Sequence, residues 1–198
     1  MEIIRGRQSR EMNATELHQL LAGYGNISLD LGTGDGRFVC KSAEGNKQTF
    51  FIGIDSCREN LRVYSRKKLP NALFVIANAQ SLPGELGGLA SHVSINFPWG
   101  SLLESLLTSD LCLLNGLLRI TRPCATMDIH LNADALTSAG FKLESGANQI
   151  DCVLSESGWR IKSHSCLNAG HLRQIPTSWA KRLAFGRDPR TIRLRIEK

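Results

Sequence analysis

The stretch LDLGTGDGR, residues 29–37, determines how the chain folds. An apolar segment ending at Leu31 runs directly into a loop with glycines at every second position, and a helical pattern follows at once. Glycine adopts positive φ angles readily and lets a ligand approach the backbone closely. In a doubly wound α/β sheet, the loop after the first strand is where nucleotide-like ligands bind. The stretch therefore predicts an α/β domain with a nucleotide-type site at residues 32–36.

Two carboxylates indicate which ligand class this loop binds. Dinucleotide sites use the spacing GxGxxG and place a pyrophosphate at the helix N-terminus. Here the spacing is GxGxG, with Asp30 before the loop and Asp35 within it. Because two carboxylates repel a pyrophosphate, they favour a ligand that carries an ammonium and a sulfonium, which indicates S-adenosylmethionine. The alternative is a tight turn in which Asp35 merely caps a helix.

Polar residues at the ends of the next two strands fit the same ligand. Asp55 follows an apolar strand, 19 residues after Gly36, where a carboxylate can accept hydrogen bonds from both ribose hydroxyls. Asn78, Ala79 and Gln80 follow the third strand, where amide and backbone groups could contact an adenine edge.

Strand and helix patterns alternate along most of the chain. The expected strands are residues 27–31, 49–54, 72–77, 92–96, 126–131, 159–164 and 191–196, and a helix is expected over residues 59–69. This alternation predicts a seven-stranded, mostly parallel sheet with helices on both faces and an antiparallel last strand. Residues 1–25 are expected to form an N-terminal extension, a short extended piece plus a helix, ahead of a domain spanning residues 26–198.

Charge is distributed unevenly over the 198 residues. The 24 Lys and Arg against 18 Asp and Glu give a net charge of +6, yet residues 1–158 carry −2 and residues 159–198 carry +8. A basic C-terminal fifth favours a polyanionic partner. No apolar run is long enough to span a membrane, and no signal-peptide core is present, so we expect a soluble, cytoplasmic protein. The six scattered cysteines fit free thiols and match no zinc-binding pattern, so no metal is expected.

Two tryptophans suggest how a planar substrate could be held. Trp99 follows Asn96-Phe97-Pro98 at the end of the fourth strand, which faces the reactive end of the cofactor in such sheets. Trp179 lies among cations that suit phosphate contacts, namely Lys181, Arg182, Arg187 and Arg190. The alternatives are a core position for Trp99 and, for the second segment, an amphipathic helix with Leu183 and Phe185 facing inward.

Four motifs, DLGTGDGR, IGIDSCRENL, FPWGSLLE and SWAKRLAFGR, resemble those of the aminoglycoside-resistance 16S rRNA methyltransferases of the Kam/Npm group. The resemblance extends from Asn26 to Arg187. It implies a class I methyltransferase (Rossmann-like) fold, S-adenosylmethionine as the methyl donor and S-adenosylhomocysteine as its product. It further implies N1 of adenine 1408, in helix 44 of the 16S rRNA of the 30S subunit, as the target, and aminoglycoside resistance as the phenotype.

The same resemblance assigns roles to individual residues. It implies that Trp99 and Trp179 sandwich the flipped adenine, so that catalysis proceeds by positioning, without an acid, a base or a metal. The expected cofactor-binding residues are Asp30, Gly32, Thr33, Gly34, Asp35, Arg37, Asp55, Asn78, Ala79, Gln80, Leu82 and Pro98. The expected RNA-binding residues are Arg66, Lys67, Lys68, Ser178, Lys181, Arg182, Arg187 and Arg190. Gln80 departs from a member of the group that has a glutamate at this position.

Other functions are compatible with parts of the sequence. A transfer-RNA guanine-N7 methyltransferase shares the acidic glycine loop, but its FPDPW-type motif contains an Asp that residues 96–99 lack. A small-molecule methyltransferase would lack the basic C-terminal segment. A non-catalytic RNA-binding protein could use the same fold as a scaffold. We expect a monomer.

Overall fold

Nine strands form one sheet in the computed structural model, which describes residues 1–198. In chain order they are β1 (Glu2–Arg5), β2 (Gln8–Glu11), β3 (Asn26–Leu31), β4 (Thr49–Asp55), β5 (Ala72–Ile76), β6 (Ala90–Asn96), β7 (Thr121–Asn132), β8 (Arg160–Leu167) and β9 (Thr191–Glu197). Their order across the sheet is β2-β1-β5-β4-β3-β6-β7-β9-β8.

Nine α-helices connect or flank these strands. They are α1 (Ala14–Leu21), α2 (Arg37–Gly45), α3 (Arg58–Leu61), α4 (Gly100–Leu107), α5 (Leu111–Ile120), α6 (Ala133–Ser138), α7 (Leu143–Glu156), α8 (Ala169–Gln174) and α9 (Ser178–Gly186). None of them alone is long and apolar enough to cross a membrane; α4 and α5 pass that test only as a pair, bent by 92° at their junction.

The five central strands, β5-β4-β3-β6-β7, are parallel, as the sequence predicts. In their register, Leu31 of β3 lies beside Ile54 of β4 and Ile95 of β6. The segments that follow these three residues therefore all leave the sheet at the carboxyl ends of its parallel strands. β9 inserts antiparallel between β7 and β8, which agrees with the expected antiparallel last strand.

The sheet has two more strands than predicted because the N-terminus forms a hairpin. β1 and β2 pair antiparallel, and β1 joins the edge of the sheet where Ile3 lies opposite Val75. The sequence of β2, QSRE, is polar and gives no strand signal, so only the first extended piece and α1 are predictable. Because the hairpin continues the main sheet, the expected boundary at residues 25 and 26 stays a prediction.

The helix predicted over residues 59–69 is wrong. Only α3 and one 3-10 turn, Tyr64–Arg66, form there. Tertiary contacts hold Tyr64 in place: its hydroxyl accepts a hydrogen bond from Arg37 (3.1 Å), and its carbonyl accepts one from the Cys40 thiol (3.4 Å). These contacts prevail over the helical propensity of the basic segment that follows.

Alternating side chains of the strands supply two apolar layers. In β4, Phe50, Ile52 and Ile54 belong to the large core that also contains residues of α1, α4, α5 and α7. Phe51 points to the opposite face and packs with α2 in a smaller cluster. A third small cluster joins Phe97 to α8 and α9. The core thus fixes the strand ends and, through Phe97, the position of α9.

Candidate active site

The glycine loop after β3 combines two glycines required by packing with one that faces open space. Gly32, Gly34 and Gly36 have φ angles of +68°, +58° and +79°. A Cβ on Gly32 would lie 2.8 Å from the Leu102 side chain, and one on Gly36 would overlap the ring of Phe74. A Cβ on Gly34 would meet no protein atom within 4 Å. Two glycines therefore allow close packing, and the third leaves the backbone accessible to a ligand.

Asp55 holds this loop in place. Its Oδ2 accepts a hydrogen bond from the Gly34 amide (2.8 Å), and its Oδ1 accepts one from the Cys57 amide (2.8 Å). Each carboxylate oxygen can accept a further bond, because it has a second lone pair. The carboxylate can thus fix the loop and still accept hydrogen bonds from a diol.

Asp35 connects the glycine loop to α9. One of its oxygens accepts a hydrogen bond from the Arg37 amide (3.0 Å), and the other accepts one from the Ser178 hydroxyl (2.6 Å). Asp35 thus contacts the first residue of α2, although the N-cap of that helix is Gly36 and has no side-chain cap. Ser178 thereby links two walls of the same cleft, and its expected contact with RNA stays a prediction.

Asp30 is a buried carboxylate beneath the loop, 3% exposed. Its Oδ1 accepts hydrogen bonds from the Ser94 hydroxyl (2.7 Å) and the Asn96 amide (2.8 Å). Burial raises the pKa of Asp30 to about 6, although these hydrogen bonds oppose the rise. A cation placed against Asp30 would remove the energetic penalty of its charge, so the carboxylate favours a positively charged ligand.

The two predicted tryptophans lie face to face. The ring centroids of Trp99 and Trp179 are 6.3 Å apart, and the ring planes differ by only 6°. Trp99 is 51% exposed, so its core alternative is wrong. The guanidinium carbons of Arg182 and Arg187 lie 5.5 and 5.2 Å from the centre of the Trp179 ring. Two indoles surrounded by cations thus form one end of the cleft.

A strained backbone explains why Trp99 is exposed while its neighbours are buried. Phe97 has a φ angle of +56°, which is unusual for a bulky residue, and its side chain packs against α8 and α9. Pro98 is buried, and Gly100 again has a positive φ of +55°. This sharp turn directs Trp99 outward at the start of α4. Backbone strain of this kind is concentrated at functional sites.

A cleft of about 520 Å³ contains the glycine loop at one end and the two indoles at the other. The predicted residues that line it are Asp30, Gly32, Thr33, Gly34, Asp35, Asp55, Asn78, Ala79, Pro98, Trp99, Ser178, Trp179 and Arg182. Its size and mixed lining suit a ligand as large as a nucleoside derivative.

Three predicted cofactor residues do not line this cleft. Arg37 bonds to Tyr64, and Leu82 is buried in the main core. The Gln80 side chain donates hydrogen bonds to Ser105 (2.8 Å) and Asp110 (2.9 Å), at the junction of α4 and α5. The Gln80 amide nitrogen is thus engaged within the protein, and the expected adenine contact of this residue stays a prediction.

The remaining predicted RNA-binding residues are exposed and outside the cleft. Lys67 forms an ion pair with Glu44 (2.7 Å), beside the exposed Arg66 and Lys68. Arg190 donates from Nε to Asp188 (2.8 Å). Lys181 is exposed on α9, and Arg187, which follows α9 directly, lies exposed against the Trp179 ring. Their roles toward RNA stay predictions.

The cleft also contains residues that sequence reasoning did not select. They are Phe38, Ile54, Ser56, Cys57, Asn60, Ala77, Asn96, Phe97, Ser101, Leu102 and Thr177. Six of them lie at the end of a parallel strand or directly after it, and that position is itself a signal: Ile54, Ser56, Cys57, Ala77, Asn96 and Phe97. Thr177 caps α9 by accepting a hydrogen bond from the Ala180 amide (2.8 Å), which sets the helix start just ahead of Trp179.

All six cysteines are free, and no three His, Cys, Asp or Glu side chains converge to hold a metal ion.

An acidic glycine loop after the first parallel strand, with an acidic residue at the end of the second parallel strand, places the chain among the class I methyltransferases.

Comparison with known proteins narrows this class. A family model described as NpmA, 16S rRNA (adenine(1408)-N(1))-methyltransferase, matches residues 2–198, and the chain belongs to this family. It is 36% identical over 205 residues to an Escherichia coli 16S rRNA (adenine(1408)-N(1))-methyltransferase, covering 94% of each chain.

Solved structures agree in fold. The 16S rRNA methyltransferase KamB superposes with a TM-score of 0.89 at 28% identity, over 100% of this chain and 99% of KamB. A variant of the Catenulisporales acidiphilia 16S rRNA (adenine(1408)-N(1))-methyltransferase, solved with the cosubstrate SAM, superposes with a TM-score of 0.86 at 22% identity. That match covers 100% of this chain and 96% of the variant.

Proposed function

We propose that this protein transfers the methyl group of S-adenosylmethionine to N1 of adenine 1408 in 16S rRNA and thereby confers aminoglycoside resistance. The observation that carries the proposal is the single cleft with acceptor carboxylates at one end and two parallel indoles at the other. Family membership supplies the identity of the base. The curated relative described above is an rRNA methyltransferase, and nothing favours a tRNA or small-molecule substrate over this one.

The chemistry of the cleft residues suits the donor. Asp30 can pair with its ammonium group, the two oxygens of Asp55 can accept from the ribose hydroxyls, and Gly34 leaves room for the ligand against the backbone. When bound, S-adenosylmethionine supplies an electrophilic methyl group on a sulfonium. Asn78 and Ala79, in the same cleft, are the residues we assign to the adenine of the donor.

The indoles suit an extruded base after a small opening. Each ring contact needs about 3.5–4 Å, so a base between two indoles requires a separation of roughly 7–8 Å. The observed centroid distance is 6.3 Å, so we infer that the rings separate by about 1–2 Å as the base enters. Stacking of about 1–3 kcal/mol per base offsets the few kcal/mol needed to flip the adenine.

The reaction needs no general base from the protein. Adenine N1 is unprotonated at neutral pH and presents an in-plane lone pair, so the residues have only to aim it at the methyl group. The positive charge that appears on the methylated ring lies between two π faces, which stabilises it by about 0.5–2 kcal/mol per indole. Trp99 and Trp179 therefore act by stacking and orientation.

The basic residues around Trp179 are those we assign to the RNA backbone. Arg182 and Arg187 lie against the indole, and Lys181 is exposed on the same helix. We assign Arg66 and Lys68 to RNA contacts as well. We further propose that the protein acts as a monomer, in the cytoplasm, on helix 44 of the assembled 30S subunit, with S-adenosylhomocysteine as product and without a metal.

Primer extension tests this function. In 16S rRNA from a host that expresses the gene, we expect a reverse-transcription stop at adenine 1408, together with growth on aminoglycosides. Cells that express the Trp179→Ala variant to the same level serve as the control and should show neither. A wild-type strain without the stop would overturn the proposed function.

A further inference from the structure

Phe185 is the aromatic side chain most exposed on α9, with 66% of its surface accessible. The amphipathic-helix alternative places it inward beside Leu183, but Phe185 is absent from the small cluster around Phe97, in which Ala180 and Leu183 are the buried residues of α9. Successive helical residues are rotated by about 100°, so Phe185 lies roughly 200° from Leu183, on the opposite face. The exposure is therefore imposed by the helix itself, and the inward alternative is wrong.

An arginine covers the Phe185 ring, as arginines cover Trp179. The guanidinium carbon of Arg173, from α8, lies 5.0 Å from the centre of the Phe185 ring. Arg182 and Arg187 make the corresponding contacts with Trp179 at 5.5 and 5.2 Å. Two aromatic rings flanked by arginine thus project from one helix. Aromatic faces beside cations are the usual means of holding unpaired bases.

The spacing separates Phe185 from the indole pair. Phe185 follows Trp179 by six positions along α9, a rise of about 9 Å. One base between the indoles cannot also reach Phe185, so a ligand on that ring would be a different nucleotide. The packing of Leu172, Ala180 and Leu183 against Phe97 holds α8 and α9 together, which fixes this spacing.

Charge selects RNA over a protein as the occupant. Residues 159–187 contain no Asp or Glu, and three arginines lie against the two rings. We propose that Phe185 and Arg173 form a second base-stacking site, which binds another unpaired nucleotide of the same RNA. This inference rests on the proposed function, since it takes the small ribosomal subunit as the partner.

Substitution at position 185 tests the second site. Phe185→Ala should weaken binding of 30S subunits about tenfold, because one stacked base is lost, and leave S-adenosylmethionine affinity unchanged. Phe185→Trp should bind as wild type, while Phe185→Leu should be as weak as the alanine variant. Leu111→Ala is the matched control, since Leu111 is 70% exposed on α5 and should have no effect.

Wild-type affinity for 30S subunits in Phe185→Ala would overturn this site. Wild-type affinity in Phe185→Leu would also overturn it, because it would indicate an apolar contact and not base stacking. A photoreactive phenylalanine analogue at position 185 should crosslink to a 16S nucleotide, and a crosslink to ribosomal protein instead would also contradict it. The proposed function fails separately, if 16S rRNA from cells that express the wild-type protein shows no reverse-transcription stop at adenine 1408.

A second inference concerns the chain of hydrogen bonds beneath the cleft. The Asn96 amide nitrogen lies 2.8 Å from Asp30 Oδ1, which at neutral pH can only accept, so the amide oxygen must face His130. That oxygen is 2.9 Å from His130 Nδ1, which must therefore carry the proton. The three residues thus have one consistent arrangement. In this arrangement the Asn96 amide oxygen points away from any substrate, and the Asn96 NH₂ group points toward Asp30.

His130 is suited to hold this arrangement. It is 8% exposed, and burial lowers its pKa to about 4, so the ring is neutral near pH 7. The ring also packs on Phe97, with centroids 5.8 Å apart and planes at 28°. We infer that His130 is a positioning residue that orients the Asp30 carboxylate toward the cofactor through Asn96, an inference that rests on the proposed cofactor site.

Two substitutions at His130 separate orientation from packing. His130→Phe keeps a ring on Phe97 but loses the donor, and should lower S-adenosylmethionine affinity about fivefold, as expected for one hydrogen bond. His130→Asn supplies an amide N–H near the position of Nδ1 and should restore affinity to within about twofold of wild type. His92→Phe is the control, since His92 bonds only to Thr126 (2.8 Å) and should not change affinity.

Calorimetry gives a clear outcome. Wild-type affinity in His130→Phe, or no recovery in His130→Asn, would overturn the positioning role. A wild-type protein that does not bind S-adenosylmethionine would instead overturn the proposed function.

Discussion

Replacing Asp30 by asparagine should stabilise the fold and weaken cofactor binding at the same time. Asp30 is buried, and its pKa is raised from 3.8 to about 6, chiefly by burial. That difference corresponds to about 3 kcal/mol of unfavourable free energy for the charged carboxylate in the folded state. The Asp30→Asn variant would keep a side-chain oxygen to accept from Ser94 and Asn96 while removing the charge.

The pH dependence follows from the direction of the pKa change. A carboxylate with a raised pKa destabilises the fold fully above its folded-state pKa, and the penalty disappears as pH falls toward the unfolded-state value. The variant should therefore exceed wild type in unfolding free energy by about 3 kcal/mol near pH 7.5 and by only about 1 kcal/mol near pH 4.5. Its S-adenosylmethionine affinity should fall by about tenfold or more, because the charged partner of the ammonium is lost.

Urea unfolding without cofactor at both pH values, and calorimetry with it, would measure these effects. Asp110→Asn is an informative control, because hydrogen bonds from Gln80 and from the start of α5 lower the pKa of Asp110. Removing the charge of Asp110 should therefore destabilise the protein at pH 7.5, which is the opposite of the effect expected for Asp30→Asn. An Asp30→Asn variant that is no more stable than wild type at pH 7.5, or whose advantage is equal at both pH values, would refute the reasoning.

Four other substitutions give distinct outcomes. Trp99→Ala and Trp179→Ala should each abolish methylation of 30S subunits, because stacking of the target base is lost. Calorimetry should find S-adenosylmethionine affinity within about twofold of wild type, because the donor end of the cleft is intact. Residual methylation in both variants would contradict the sandwich. Asp55→Ala should lower S-adenosylmethionine affinity about tenfold, since the glycine loop loses its hydrogen bond from Gly34 and the segment after β4 loses its bond from Cys57. Unchanged calorimetric affinity would remove that role. Arg182→Glu should weaken 30S binding and reduce the slope of affinity against salt concentration. Lys41→Glu, on α2, is the control and should change neither quantity. Equal slopes for wild type and Arg182→Glu would place Arg182 off the interface.

The sequence predicts the donor end of the site better than the substrate end. Strand periodicity and turn chemistry correctly predict the positions of the loop at residues 32–36 and of Asp55. Both positions depend on neighbours that are close in sequence. The meeting of Trp99 and Trp179, separated by 80 residues, depends on how α9 packs onto Phe97, so only the family resemblance predicts it.

The errors have a common physical origin. The segment 59–69 carries a helical pattern, but contacts to Tyr64 interrupt it. Hydrophobicity alone favours an inward Phe185, although helix geometry turns it outward. In each case, tertiary contacts or geometry prevail over a local signal.

The connection between β8 and β9 carries α8 and α9, and with them one of the two indoles, whereas Trp99 and the residues proposed to bind the donor lie on the parallel strands or directly after them. One wall of the proposed base slot and its basic surroundings are therefore encoded in a different stretch of chain from the proposed donor pocket. Divergence within residues 168–190 could redirect such an enzyme to another nucleotide without rebuilding the methyl-donor pocket, provided that the link between Ser178 and Asp35 is retained.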